Sequence, residues 1–203
     1  MRRMSVQFPF DAEKFLAVVQ YVAEKNVPEL DKYKICKLVF LVDKYHLVRY
    51  GRPIIGGRYC ALPYGPVPSQ ALDLLNAFIN ANDLSSADPQ VRRLEMADKL
   101  EVDRRFRDPR FSAKVGPAFQ LLSKSDLMAL DHIIESYGKR SFNELLSLTH
   151  SMYAYRTIWQ QNPNGEMRYE DFFEEDPDAV AGASEEMVEN DEISKVFPES
   201  ADI

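Results

Sequence analysis

The sequence contains no long apolar run. Nowhere do about 18 apolar residues follow one another, the length a membrane-spanning helix needs, so we expect no membrane association. The start, Met1-Arg2-Arg3-Met4, leads into polar and aromatic residues and not into an apolar signal core. Only two cysteines, Cys36 and Cys60, occur in 203 residues, too few for a disulfide framework. We therefore expect a cytoplasmic protein with two reduced thiols.

Residues that commonly build catalytic or metal sites are also scarce. The three histidines, His46, His132 and His150, are far apart in the chain, and no Cys or His pair has the spacing of zinc ligands. Cys36 and His46 fall on different faces of one predicted helix, about 15 Å apart along its axis, which excludes a thiol–imidazole pair. No phosphate loop or Gly-x-Ser-x-Gly motif occurs. We predict that the protein is not an enzyme and has no metal or cofactor.

Charge is distributed unevenly along the chain. The net charge is −7, but residues 166–203 contain 14 acidic and two basic residues, whereas the preceding part is moderately basic. Between Asp176 and Glu186 almost nothing could pack into a core. We predict one domain over residues 1–165, closed by Asn162 to Gly165, and a largely disordered acidic tail over residues 166–203. The tail either adds solubility only or covers a basic surface of this chain or of a partner.

Two helices are predicted near the N-terminus by their capping residues. Asp11 precedes apolar residues at helical spacing, and Phe10 and Phe15 are placed as a hydrophobic staple. Asp31 precedes the second helix, which is apolar on nearly every side and therefore indicates a central, buried element. Lys34, Lys37 and Asp43 on this helix are expected to form surface pairs worth little.

The remainder of the domain predicts further helices and some β structure. Residues 54–62 favour an extended or hairpin segment, followed by a rigid Gly-Pro turn and a helix over 69–80. Val91–Met96 and Lys99–Asp103 alternate loosely and predict a small antiparallel β element with a turn between them. Ser125 or Ser123 begins one further helix, and the capping box at Ser141 begins another. The predicted fold is α+β and mostly helical, a compact bundle of about five to seven helices with a small antiparallel β element.

A basic cluster lies between Arg92 and Lys114, with eight basic residues, Phe106 and Phe111. Such a cluster could neutralise phosphates, which makes a DNA-binding regulator of its own operon one hypothesis. Five acidic residues lie among the basic ones, so a solvated hairpin or a docking surface for the acidic tail is an alternative. The candidate contact residues here are Arg104, Arg105 and Arg107.

Three blocks of sequence, in order, resemble a known family. The first runs from Lys34 through Asp43 and on to Tyr50-Gly51-Arg52-Pro53-Ile54. The second is Tyr64-Gly65-Pro66-Val67, and the third runs from Leu122-Ser123 to the Leu148-Thr149-His150 ending. Together they resemble the Panacea domain, the family of SocA-type antitoxins often found in phage and plasmid neighbourhoods. The resemblance covers Phe10 to Trp159.

The resemblance implies an antitoxin that binds and neutralises a cognate toxin. For one SocA-type member the implied mode is different, delivery of the toxin to a protease complex as an adaptor, and the sequence leaves both modes open. A rigid Gly-Pro turn lowers the ordering cost of binding, and exposed aromatic residues anchor interfaces. The candidate partner-binding residues are therefore Tyr64, Gly65, Pro66, Val67, Tyr153 and Tyr155, with core packing as the alternative for Val67 and Trp159.

Overall fold

Helix α2, Lys32–Tyr50, lies at the centre of the fold. In the computed structural model, which describes residues 6–81 and 88–174, α2 is buried from Lys34 to Asp43 and packs mainly against three other helices, one β-strand and the last 3-10 turn. Around it lie α1 (Ala12–Glu24), α3 (Ser69–Asn80), α4 (Pro89–Arg93), α5 (Met96–Lys99), α6 (Lys124–Tyr137), α7 (Phe142–Ser151) and α8 (Tyr153–Gln161), with short 3-10 turns at Phe119–Leu121 and Tyr169–Phe173. The described chain is 58% helical, which confirms an α+β, mostly helical fold.

The predicted helix starts are confirmed by their caps. The carboxylate of Asp11 accepts from the backbone N–H of Lys14 at 2.9 Å, and that of Asp31 accepts from Lys34 at 2.8 Å. Ser123 and Ser141 each begin a helix with a complete capping box. Each cap satisfies N–H groups that a helix leaves open at its start.

A two-stranded antiparallel hairpin precedes α3. Strand β1 (Tyr59–Leu62) pairs with β2 (Gly65–Pro68), so that Leu62 lies opposite Gly65. The chain passes from Pro68 directly into α3. The predicted extended segment thus contains the first strand of a hairpin, and the predicted Gly-Pro turn begins its second strand. We call Leu62 to Pro66 the hairpin tip.

Of the two segments predicted for the second β element, Lys99–Asp103 contains a strand, but this strand pairs with a later segment and not with Val91–Met96. Val91–Met96 is not a strand, because Asp88 caps a short helix there, with its carboxylate accepting from the Gln90 N–H at 2.7 Å. The strands are β3 (Leu100–Asp103) and β4 (Arg110–Ala113), which pair antiparallel. The buried residues Val91 and Leu94 are three positions apart, which is the spacing of one helix face. In so short a segment this pattern is not distinguished from the loose alternation of a strand.

The folded body continues beyond Gly165, where the sequence placed its end. The backbone N–H of Met167 donates to the Tyr59 carbonyl at 2.8 Å, and Tyr169 and Phe172 are buried against the core. These side chains supply the apolar surface that the neighbouring acidic residues lack. The predicted acidic tail beyond Glu174 lies outside the described residues. Among the described helices, none has the length and apolar character to cross a membrane.

Candidate functional site

An exposed aromatic group lies at the hairpin tip. Tyr64 is 59% exposed, and its ring centroid lies 6.2 Å from that of Tyr33 on α2 and 6.3 Å from that of Phe142 on α7. Tyr33 and Phe142 complete the triangle at 6.0 Å. These three residues, which we call the aromatic patch, bring together two helices and the hairpin tip on the surface of the protein.

A buried lysine lies beneath the hairpin tip. Lys37, one turn after Tyr33 on α2, is 1% exposed, and its Nζ donates to the Pro66 carbonyl oxygen at 3.2 Å. Burial lowers the pKa of Lys37 to about 8. Gly65 has a φ of +92°, and a Cβ there would overlap the Lys37 ammonium and lie 3.1 Å from Thr149 Oγ1. A glycine at position 65 therefore allows both the turn and the close approach of the lysine.

A column of stacked rings holds the other side of the hairpin tip. The His150 ring stacks on the Tyr155 ring with 4.5 Å between their centroids, and the Tyr155 ring stacks on Trp159 with 5.8 Å between centroids. The Tyr155 hydroxyl donates to the Leu62 carbonyl at 3.0 Å. Burial, and next the charge of Lys37, lower the pKa of His150. Trp159 is half-buried against the core.

The structure separates the predicted contact residues into an exposed and a buried set. Tyr64 and Tyr153, at 59% and 37% exposure, are available to a partner. The residues that follow Tyr64 in the chain, Gly65, Pro66 and Val67, are buried, as is Tyr155. Buried residues can influence a partner only by positioning the exposed ones. The Gly-Pro segment is thus the support of Tyr64.

The arginines of the basic cluster are mostly engaged within the protein. Arg104 donates to the Ile79 carbonyl at 3.0 Å, close to the end of α3, which satisfies a carbonyl that the helix leaves open. Arg105 pairs with Asp103 at 2.7 Å, and Arg110 pairs with Glu29 at 3.1 Å. Arg107 is exposed. The cluster is therefore a mixed-charge hairpin surface, as its interleaved acidic residues suggested.

Asp43 is fully buried, and Lys34 and Lys37 are buried as well, so the surface pairing expected for these three residues is wrong. The Asp43 carboxylate accepts from the backbone N–H groups of Ile54, Ile55 and Gly56 at 2.7 to 3.1 Å, and from the Tyr59 hydroxyl at 2.9 Å. Burial raises the pKa of Asp43 to about 6, against the opposing effect of these four donors. The residue fixes the loop between α2 and β1.

A second buried polar group connects α1, α2 and α6. Asp126 accepts from the Lys14 ammonium at 2.7 Å and from Arg52 at 2.8 Å. His46 donates from Nδ1 to the Arg52 carbonyl at 2.7 Å, while its Nε2 lies 3.0 Å from Ser125 Oγ and 3.2 Å from Asp126. In a Ser-His-Asp triad the serine and the carboxylate contact opposite ring nitrogens. Here Ser125 and Asp126 both contact Nε2 of His46. These residues therefore lack the arrangement of a triad and serve to link the helices.

The described residues contain no cluster of three or more His, Cys, Asp or Glu that could hold a metal ion. Cys36 is buried, and burial raises the pKa of its thiol to about 12, which leaves it protonated at neutral pH. The chemically distinctive feature at the surface is therefore the aromatic patch with its lysine beneath.

Comparison with known proteins gives one match. The family model described as antitoxin SocA-like, Panacea domain, matches residues 35–154, which include α2 from Ile35 onward, the hairpin tip and α7. No curated protein and no solved structure matches the chain. The match covers more than half of the sequence, and it confirms the family that the three sequence blocks resemble. The chain belongs to the SocA-like antitoxin family with a Panacea domain.

Proposed function

We propose that this protein is an antitoxin that neutralises a cognate toxin by binding it directly, with the aromatic patch at the centre of the interface. The observation that carries the proposal is Tyr64, a large aromatic residue 59% exposed at the tip of a hairpin in a chain of an antitoxin family. Tyrosine at the centre of an interface contributes apolar area and a hydroxyl at low entropic cost.

The support beneath Tyr64 favours a binding role. The hairpin tip is held by Lys37 through the Pro66 carbonyl and by Tyr155 through the Leu62 carbonyl. Both contacts come from inside the fold, so they leave the outer face of Tyr64 open. A loop that is ordered before binding loses little conformational entropy when a partner arrives, and more of the contact energy is then available as affinity.

Co-expression with the product of the adjacent gene tests the proposal. We expect that product to be toxic alone, and to be harmless and co-purified when this protein is present. Tyr64→Ala should weaken the complex by about 30-fold, equivalent to about 2 kcal/mol, the size of an interface hot spot. Phe106→Ala is the matched control, since Phe106 is also an exposed aromatic residue on a hairpin loop, at 41% exposure, and it should change affinity by less than about two-fold.

The outcomes separate the alternatives. A neighbour that is not toxic and does not co-purify contradicts direct neutralisation. Equal losses for Tyr64→Ala and Phe106→Ala place the interface elsewhere. If the toxin disappears only in cells with an intact protease, and its half-life lengthens when the antitoxin is removed, the protein acts as a proteolytic adaptor instead.

A further inference from the structure

Two lysine ammonium groups beside the aromatic patch are bonded only to neutral oxygens. Lys32 lies over the Tyr33 ring, 5.0 Å from its centroid, and donates to the side-chain oxygen of Asn76 at 2.8 Å. Lys37 donates to a backbone carbonyl beneath the tip. Within the described part of the chain, neither forms an ion pair with a carboxylate. Lys37 is 1% exposed, so the Lys32 ammonium is the positive charge at the patch that an outside carboxylate could reach.

The acidic residues close to the patch are committed to other groups. Asp31 caps α2 through the Lys34 N–H at 2.8 Å, and Glu29 pairs with Arg110 at 3.1 Å. Glu144 on α7 accepts from the backbone N–H and the hydroxyl of Ser141, at 2.8 and 2.6 Å. All three carboxylates act by charge on Lys34, whereas none of them forms an ion pair with Lys32. An acidic group from outside the described residues would therefore complement Lys32.

The chain itself contains a segment with that chemistry. Residues 185–197 include five acidic residues and one lysine. They also contain apolar residues suited to an aromatic surface, namely Met187, Val188, Ile193, Val196 and Phe197. We call residues 185–197 the acidic–apolar segment. Acidic charge interleaved with large apolar side chains matches a surface of aromatic rings flanked by ammonium groups.

The position where the described chain ends makes this contact reachable. The ring centroids of Phe172 and of Phe40 on α2 lie 5.4 Å apart, and the Phe172 carbonyl accepts from the Lys44 ammonium at 2.7 Å. Tyr33 lies about 16 Å from Lys44 along the helix, at about 1.5 Å per residue. The ten residues 175–184, treated as a random coil, have an end-to-end distance of about 16 to 19 Å. The linker length thus matches the span, which is the condition for a high effective concentration.

We infer that the acidic–apolar segment of this chain docks in cis on the aromatic patch, pairing its carboxylates with Lys32 and packing its apolar side chains on Tyr64 and its neighbours. The docked segment covers the surface in its free state. The inference does not require the proposed toxin contact. If that contact is correct, a toxin must displace the segment, and the segment acts as an internal competitor.

The basic cluster between Arg92 and Lys114 is the alternative surface on which the acidic tail could dock. Its arginines are less suited, since Arg93, Arg105 and Arg110 already pair with Glu13, Asp103 and Glu29. Arg104 is bonded to carbonyls at the end of α3. An acidic segment there would compete with existing carboxylates, whereas at the patch it meets the Lys32 ammonium, which forms no ion pair within the described part of the chain.

Photo-crosslinking in the full-length protein tests the inference without any toxin. A p-benzoylphenylalanine replaces Tyr64 in one protein and Phe106 in a matched control. The crosslinks are mapped by mass spectrometry in a mixture of isotopically labelled and unlabelled chains. We expect position 64 to crosslink to residues 185–197 of the same molecule, with a yield at least about five-fold above that from position 106. In 0.5 M salt, where the screening length is below about 5 Å, the yield should fall by about five-fold.

Charge variants supply the second arm. Neutralising the segment, with Glu185→Gln, Glu186→Gln, Glu189→Gln, Asp191→Asn and Glu192→Gln, should lower the crosslink yield as salt does, and Lys32→Gln should lower it by about two- to three-fold. Crosslinks from position 106 that exceed those from position 64 would overturn the inference in favour of the basic cluster. Crosslinks between labelled and unlabelled chains would overturn it in favour of a second copy. An absence of tail crosslinks at position 64 would overturn it outright, and none of these results bears on toxin binding.

Discussion

The Nζ of Lys37 and the carbonyl oxygen of Pro66 lie 3.2 Å apart beneath the hairpin tip. This contact connects the central helix to the tip that presents Tyr64. A lysine so buried carries a desolvation cost in its charged form, which the lowered pKa of about 8 expresses. The position of the exposed tyrosine and the ionisation of an internal lysine are therefore linked.

The first prediction concerns pH and Lys37. Its folded pKa of about 8 lies below the ordinary 10.5, so between these values the unfolded chain binds more protons, and this group contributes stability that rises with pH. Tyr59, whose pKa is raised, acts in the opposite direction but equally in wild type and in Lys37→Met. The raised pKa of Cys36 depends in part on the charge of Lys37, so both proteins carry Cys36→Ala in this comparison. Between pH 7.5 and 9.5, wild type should gain about 2 kcal/mol relative to Lys37→Met. Urea unfolding at both pH values measures this, and a constant difference would contradict it.

The second prediction compares alanine substitutions at two glycines, one of which adds only backbone strain while the other adds steric overlap as well. Both Gly51 and Gly65 have positive φ, but a Cβ at Gly51 meets nothing within 4 Å, whereas one at Gly65 meets Lys37, Thr149 and His150. Gly51→Ala should therefore lose only about 1 kcal/mol of unfolding free energy, the cost of the left-handed backbone. Gly65→Ala should lose about 3 kcal/mol. Denaturant unfolding of the two variants gives both values, and equal losses would mean that the tip relaxes around the added methyl group.

The third prediction concerns Asp43. In Asp43→Asn the amide nitrogen replaces one acceptor oxygen, which leaves the Gly56 N–H without its partner, and the free energy of unfolding should fall by about 3 kcal/mol. Tyr59→Phe removes only one of the four donors and should cost about 1 kcal/mol. Thermal and urea unfolding measure both. A smaller loss for Asp43→Asn than for Tyr59→Phe would show that the loop after α2 does not depend on the carboxylate.

The fourth prediction separates a structural from a nucleic-acid role for the arginines. Arg104→Gln removes donors from the carbonyls at the end of α3 and should lower stability by about 1 kcal/mol. Arg107→Gln, at an exposed position, should change stability by less than about 0.5 kcal/mol. Urea unfolding tests this directly. A salt-dependent shift of upstream DNA that both variants weaken equally would instead favour phosphate contacts.

Local signals in the sequence were sufficient for the helices but not for the second hairpin. The caps at Asp11, Asp31 and Ser141 were predicted, and the start of α6 was limited to Ser123 or Ser125, because capping depends on residues within one turn. The pairing of Leu100–Asp103 with Arg110–Ala113 depends on contacts between segments, and its strands are only four residues long. Four residues are too few for alternation to distinguish a strand from a helical turn.

The buried polar residues were missed for a different reason. Periodicity identifies apolar faces and assigns charged residues to solvent by default, so Lys37 and Asp43 were read as surface residues. A signal was present, since a helix that is apolar on nearly every side has no solvent face, and its charged residues must then lie inside with partners. The partners themselves, such as the Pro66 carbonyl, are brought close only by the fold.

Helix α2 anchors three neighbours from three side chains within three turns: Lys37 holds the hairpin tip, Asp43 holds the loop before β1, and His46 reaches α6 through Ser125. All three side chains point inward, whereas Tyr64 and the other residues at the exterior take no part in this anchoring. Substitutions at the exterior can therefore alter partner choice while the scaffold keeps its shape. Because the anchoring residues are buried and the binding residues are exposed, the same fold can acquire new binding specificities during evolution without passing through unfolded intermediates.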